Sequence, residues 1–153
     1  KEYIAKIRLG VASATDDEEG EKWEMEIQRP PAQEAIERAL KNFEGKIQQI
    51  PPDFSAVKIK GREAYKLARR GVNVTLKPRI VEIKSISLVG YQWPFLMLRV
   101  VTGPGVYIRS LARDLGRKLR TGGYLADLER VRVGQFRKED AITTGQLRDT
   151  LQN

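Results

Sequence analysis

Phe95-Leu96-Met97-Leu98-Arg99-Val100-Val101-Thr102-Gly103-Pro104-Gly105-Val106-Tyr107-Ile108-Arg109-Ser110-Leu111-Ala112-Arg113-Asp114-Leu115-Gly116-Arg117-Lys118-Leu119-Arg120 changes its period once, and that change decides the fold. Phe95 to Val101 is nearly all apolar, as suits a strand covered on both faces. Thr102-Gly103-Pro104-Gly105 is a turn, and from about Tyr107 to Arg120 the period becomes helical, with Leu111, Leu115 and Leu119 on one stripe. Upstream, Arg79 to Val89 is β-branched, and its apolar parity shifts from Val81/Ile83 to Ile86/Leu88, which predicts a bulge near Lys84. Tyr3, Ala5, Ile7 and Leu9 alternate with Glu2, Lys6 and Arg8, a half-buried strand ending at Gly10. Trp23, Met25 and Ile27 alternate likewise and are expected to return as its hairpin partner, stopped by Pro30-Pro31. Between them, Asp16-Asp17-Glu18-Glu19-Gly20 reads as a turn or exposed loop. A helix is expected from Ala32, with Ile36, Leu40 and Phe43 inward, Glu34 in its first turn and Gly45 as C-cap. Ile50 to Lys58 is Pro-rich and then extended; short helices over Glu63–Arg70, Leu125–Leu128 and Thr144–Leu151 and a strand over Val131–Phe136 complete the expectation. The fold class is α+β: one domain over residues 1–153, with a mixed, mostly antiparallel sheet flanked by helices.

The composition narrows the chemistry. With 153 residues, 41% of them hydrophobic and 31% charged, the chain can bury a real core. It has no Cys and no His, so disulfides, thiolate metal sites, Ser-His-Asp triads and Cys-His dyads are excluded within it. No stretch reaches the about 18–20 apolar residues of a membrane span, and Lys1-Glu2-Tyr3-Ile4 lacks the apolar run of a signal peptide, so a cytoplasmic location is expected. The net charge of +8 divides as −3 over residues 1–50, +7 over 51–100 and +4 over 101–153. A polyanion, most simply a nucleic acid, would suit that field; so would solubility alone.

Gly103-Pro104-Gly105 before a helix raises the question of a phosphate loop. Position 108 is Ile where a dinucleotide fingerprint needs Gly, and Pro104 lacks an N–H donor, so a plain turn is the better reading. Arg109, Arg113 and Arg117 recur every four residues opposite the leucine stripe. They are either a solvated face or a rail for phosphates. Arg109 differs from the other two, because a cation in the first turn opposes the helix dipole and calls for a carboxylate or phosphate partner. Tyr3 and Tyr107 are either core residues or platforms for an unstacked base.

Four ordered blocks then resemble one family along essentially the whole chain. Lys1-x-Tyr3-x-Ala5 with Leu9-Gly10-x-x-Ser13-x-Thr15-x-Asp17-x-x-Gly20 is similar to the segment that follows the catalytic motif of TruB-type tRNA pseudouridine synthases. Ile50-Pro51-Pro52-x-x-Ser55-Ala56-x-Lys58, with Gly61 and Tyr65-x-x-Ala68-Arg69-x-Gly71, resembles the next block. Gly105-x-Tyr107-Ile108-Arg109-Ser110-Leu111-Ala112-x-Asp114-Leu115-Gly116 resembles the family's most characteristic downstream motif, and Leu125-x-x-Leu128-x-Arg130-x-Arg132-Val133-Gly134-x-Phe136 closes the match. Ser13, where Thr is usual, and Glu129, where a basic residue often precedes Arg130, depart from the pattern.

The resemblance implies isomerisation of uridine-55 in the TΨC arm of tRNA to pseudouridine, on a flipped-out base, by a monomer using neither metal nor cofactor. It implies that Tyr3 stacks on the target base and that Leu128 lines the pocket. Arg109 would pair with a catalytic aspartate, with Tyr107 beside it. Arg113, Arg117 and Arg130 are expected to meet RNA. The family's aspartate lies in a Gly-x-Leu-Asp type motif N-terminal to the Lys-x-Tyr strand. The 153 residues begin at Lys1 and contain neither that motif nor the family's common C-terminal PUA domain, so this chain alone is expected to be inactive. With that carboxylate missing, Arg109 is expected in an open cleft near Tyr3, Tyr107 and Leu128, unpaired or occupied by solvent or a small anion. A non-catalytic RNA-binding module, or a relative modifying another RNA, are the rival expectations.

Overall fold

The computed structural model describes residues 1–52, 58–59, 62–63, 77–133 and 136–137. Its centre is a six-stranded sheet in the order β10-β9-β1-β8-β7-β4. These strands are β1 (Glu2–Leu9), β4 (Gly45–Gln49), β7 (Arg79–Gln92), β8 (Phe95–Thr102), β9 (Gly123–Val133) and β10 (Phe136–Arg137), and each neighbouring pair is antiparallel. Two-stranded pieces join β2 (Val11–Ser13) to β3 (Lys22–Glu24) and β5 (Lys58–Ile59) to β6 (Arg62–Glu63). The helices among the described residues are α1 (Gln33–Lys41) and α2 (Ile108–Lys118).

Both helices bury their apolar stripes on one face of the sheet. Tyr3, Ala5 and Ile7 of β1 stand opposite Val100, Leu98 and Leu96 of β8, so all six point to the same side. Ile36, Ala39 and Leu40 of α1 and Ile108, Leu111, Ala112 and Leu115 of α2 close over them in a single core cluster. The bulge expected near Lys84 is present: Ile83 pairs with Thr102 and Ser85 with Val101, leaving Lys84 extra. That reset brings Ile86 back to the buried face after Val81 and Ile83.

Several expectations are corrected. Trp23 does not return against the first strand; it stands opposite Ala12 in the separate β2–β3 ribbon and is half exposed. β8 is not covered on both sides, because its burial alternates and Met97 and Arg99 face outward. No helix forms over Leu125–Leu128, which lie inside β9. Ile7 pairs with Leu125 and Lys6 with Asp127, so Ala126 is a bulge residue and the three-residue spacing of Leu125 and Leu128 still returns both to one face. A bulge, not a helical turn, produces that spacing. The strand expected over Val131–Phe136 is the end of β9 followed by β10. Helix α1 is capped at Asn42, whose Nδ2 donates to the Arg38 carbonyl at 3.2 Å, while Gly45 (φ +89°) opens β4 instead. Of the expected helix Glu63–Arg70 only Glu63 is described, in β6, and the one over Thr144–Leu151 lies outside the described residues.

Candidate active site

Two groups of expected residues stand on the helix-covered face. The first lies across β1 and β9, where Tyr3 is opposite Arg130 and Ala5 opposite Leu128. Tyr3 is buried, the Arg130 guanidinium lies 5.4 Å from its ring centre, and Nη2 of Arg130 donates to its hydroxyl at 3.3 Å. Leu128, although apolar, is 40% exposed, so β9 offers open hydrophobic surface beside a cation on a tyrosine.

The second group is the start of α2. Tyr107 is its N-cap but supplies no side-chain cap; its backbone is held from outside the helix. The Tyr107 N–H donates to Gln49 Oε1 at 2.9 Å and Gln49 Nε2 donates to the Tyr107 carbonyl at 3.1 Å, with Gln49 itself buried at the end of β4. Ser110 Oγ donates to the Ile50 carbonyl at 2.8 Å, which ties the same turn to the residue after Gln49. Sequence reasoning missed Gln49, since a glutamine in a polar-looking strand carries no signal of burial.

Arg109 is corrected in the same way. The first turn of α2 contains no acid of its own, yet Arg109 is paired: Nη1 lies 3.5 Å from Asp17 Oδ2 and 3.5 Å from the Thr15 carbonyl. The compensating anion that a first-turn arginine calls for comes from the acidic turn. One helical turn on, Arg113 places Nη1 3.3 Å from Asp16 Oδ2, so successive aspartates meet arginines one turn apart. Asp16 is accordingly buried instead of exposed.

Local hydrogen bonds make that turn rigid. Ser13 Oγ donates to the Asp17 carbonyl at 2.6 Å, Thr15 Oγ1 donates to Asp17 Oδ1, and the Glu19 N–H donates to the same oxygen at 3.0 Å. Oδ1 is therefore occupied by the turn while Oδ2 faces Arg109. A side chain at Gly20 would put its Cβ 2.4 Å from Thr15 Oγ1, so only glycine lets the chain close here. The Leu125 N–H donates to the Asp16 carbonyl at 2.9 Å, which pins the turn to β9 three residues before Leu128. The spacing Ser13-x-Thr15-x-Asp17 was the available signal for this network.

Arg117 is exposed and, with Trp23, Met25, Ile50 and Arg113, lines a cleft of about 520 Å³. Among the described residues no three Asp or Glu side chains gather as metal ligands, and no helix is long and apolar enough to cross a membrane.

An antiparallel sheet with helices on one face has a counterpart among solved structures. The chain superposes on a chain of "Crystal Structure of a Cbf5-Nop10-Gar1 Complex" with a TM-score of 0.68 and 27% identity, covering 97% of this chain and 35% of that one. The H/ACA ribonucleoprotein bound to a substrate RNA containing 2′-deoxyuridine gives a TM-score of 0.63 at 23% identity, covering 97% of this chain and 33% of that one. The fold is that of the pseudouridine synthases.

The chain belongs to the TruB family of pseudouridylate synthases. The model of that family's N-terminal domain matches residues 1–108, and that of the tRNA pseudouridylate synthase B C-terminal domain matches residues 109–153. The tRNA pseudouridine synthase B of Bacteroides fragilis is 44% identical over 142 residues, which is 93% of this chain and 61% of that protein. Its counterpart in Parabacteroides distasonis is 40% identical over 152 residues, 99% of this chain and 65% of that protein. This chain therefore spans less than two thirds of the length of these relatives.

Proposed function

We propose that the protein isomerises uridine-55 in the TΨC arm of tRNA to pseudouridine. In that reaction the N1–C1′ bond of the uridine breaks, the base turns, and a C5–C1′ bond forms; the C5 proton is lost and N1 takes up a proton, so mass is unchanged. The observation that carries the reading is Arg109, a first-turn cation held by Asp17 on a turn fastened to the strand of Leu128. Tyr3 stacks on the flipped base once the exposed Arg130 has swung off its ring, Leu128 is the apolar wall, and Arg109, with Tyr107 beside it, the donor fork that orients the reacting aspartate. The 153 residues do not include the family's Gly-x-Leu-Asp motif, so the proposal concerns the protein at its natural length. Arg117 and Arg130, exposed and cationic, suit RNA phosphates, as does the net charge of +8. The 40–44% identity to tRNA enzymes, against 27% to the Cbf5 complex, supports tRNA over an RNA reached through other subunits. A monomer in the cytoplasm, working without metal or cofactor, belongs to the same proposal, as does the reading of residues 1–153 as one structural unit.

The test is tritium release from a TΨC stem-loop labelled at C5 of uridine, using the natural-length protein. Release of label from position 55 alone is expected. No release, or release from another uridine only, would overturn the assignment.

A further inference from the structure

The Arg113 side chain is only 12% exposed, and each of its three nitrogens meets an acceptor inside the protein. Nη1 meets Asp16 Oδ2 at 3.3 Å, Nε donates to Asp114 Oδ1 at 3.0 Å, and Nη2 donates to the Ile50 carbonyl at 2.7 Å. Asp16 sits at φ 62°, in the left-handed region that a non-glycine residue occupies when its surroundings hold it there. Its carbonyl is taken by the Leu125 N–H and its carboxylate by Arg113, so side chain and main chain are fixed from two sides. The next residue is Asp17, whose Oδ2 faces Arg109.

We propose that Arg113 is a positioning residue: by holding Asp16 it fixes the turn that presents Asp17 to Arg109, and so sets the direction of the Arg109 guanidinium. The inference rests on the reading of this site given under the proposed function. An arginine that binds phosphate needs a fork open to solvent, whereas all three nitrogens of Arg113 are already turned to acceptors within the fold. Turning its fork outward would take a cation away from the buried Asp16 carboxylate, a costly exchange. Arg117, one turn further and exposed, remains available to RNA. Lysine could not take the place of Arg113, because a point charge cannot serve three acceptors set in a planar fork.

The experiment compares Arg113→Gln, Asp16→Asn, Arg113→Lys and the Gln/Asn double variant in the natural-length protein, each confirmed as folded by circular dichroism at the assay temperature. Turnover at saturating stem-loop is expected to fall about 10- to 100-fold in each single variant, since a misplaced site group costs that much. RNA affinity and its salt dependence are expected to stay unchanged, the double variant to be no worse than either single one, and lysine to give no rescue. Weakened binding with a salt slope flattened by about one in Arg113→Gln, with Asp16→Asn fully active, would make Arg113 a phosphate contact and overturn the proposal. Lowered melting temperatures with normal turnover would also overturn it. The Arg109 Nε–H resonance, read by ¹⁵N NMR, is expected to shift in both Arg113→Gln and Asp16→Asn; an unmoved resonance overturns the clamp. A parent without activity in which this resonance still shifts would defeat the proposed reaction and leave the clamp standing.

Discussion

Replacing Gly116 by alanine sets two effects of opposite sign against each other. Inside a helix, alanine is favoured over glycine by about 0.8–1.0 kcal/mol. The new Cβ, however, would lie 2.4 Å from Gly122 C and Gly123 N and 2.7 Å from Gly122 O. Carbon contacts settle at about 3.5–4.0 Å, so the facing segment would have to retreat by roughly 1 Å. It is main chain and cannot swing aside. The Thr121 and Gly122 N–H groups both donate to the Gly116 carbonyl, at 2.9 and 3.1 Å, and Gly123 is already paired with Leu9 in the sheet. Overpacking of this kind costs about 1–3 kcal/mol, and losing one of those hydrogen bonds about 1 kcal/mol more. After the gain in helix propensity a net loss of roughly 1–3 kcal/mol remains. For a domain of this size that lowers Tm by roughly 2–12 °C. Calorimetry of Gly116→Ala beside Gly103→Ala is the assay. A Cβ at Gly103 would sit 3.5 Å from the Glu82 carbonyl oxygen, an ordinary contact, and that variant should stay within about 0.5 kcal/mol of the parent. A Gly116→Ala protein melting at or above the parent would refute the steric argument.

Gln49→Ala should cost about 1–3 kcal/mol in urea denaturation, because it strands the Tyr107 N–H, while the Tyr107 carbonyl keeps the Leu111 N–H; a loss below about 0.5 kcal/mol would mean that water replaces it. Arg117→Gln should reduce the slope of log affinity against log salt by about one for a TΨC stem-loop, and an unchanged slope would return Arg117 to the solvated face. Burial, and then the hydrogen bond and charge of Glu18, push the Tyr124 phenol above its ordinary value of 10. The folded state therefore holds that proton longer than the unfolded chain, so its contribution is complete below pH 10 and is lost as pH rises through the higher folded value. Unfolding midpoints should decline less steeply from pH 10 to 11.5 in Tyr124→Phe than in the parent, and identical declines would exclude Tyr124 as the cause.

The amino-acid sequence by itself determined the sheet's inner face and the helix that carries the arginines. Alternation in β1, the parity change at Lys84 and the leucine stripe of α2 are local patterns, and burial of one face imposes them directly on the order of residues. It also determined that Arg109 needs an anion, since the helix dipole acts within a single turn. Which anion answers was settled only by tertiary structure. Asp17 is 92 residues away along the chain, and it reaches Arg109 because Leu125 anchors the turn on β9. The same holds for Gln49, whose burial depends on where β4 ends against α2, and for Leu125 and Leu128, whose shared face depends on a bulge registered against β1. Periodicity records which side of an element is buried; it carries no record of which distant backbone or carboxylate that side will meet. That is decided when the strands take their register and the helix closes over them.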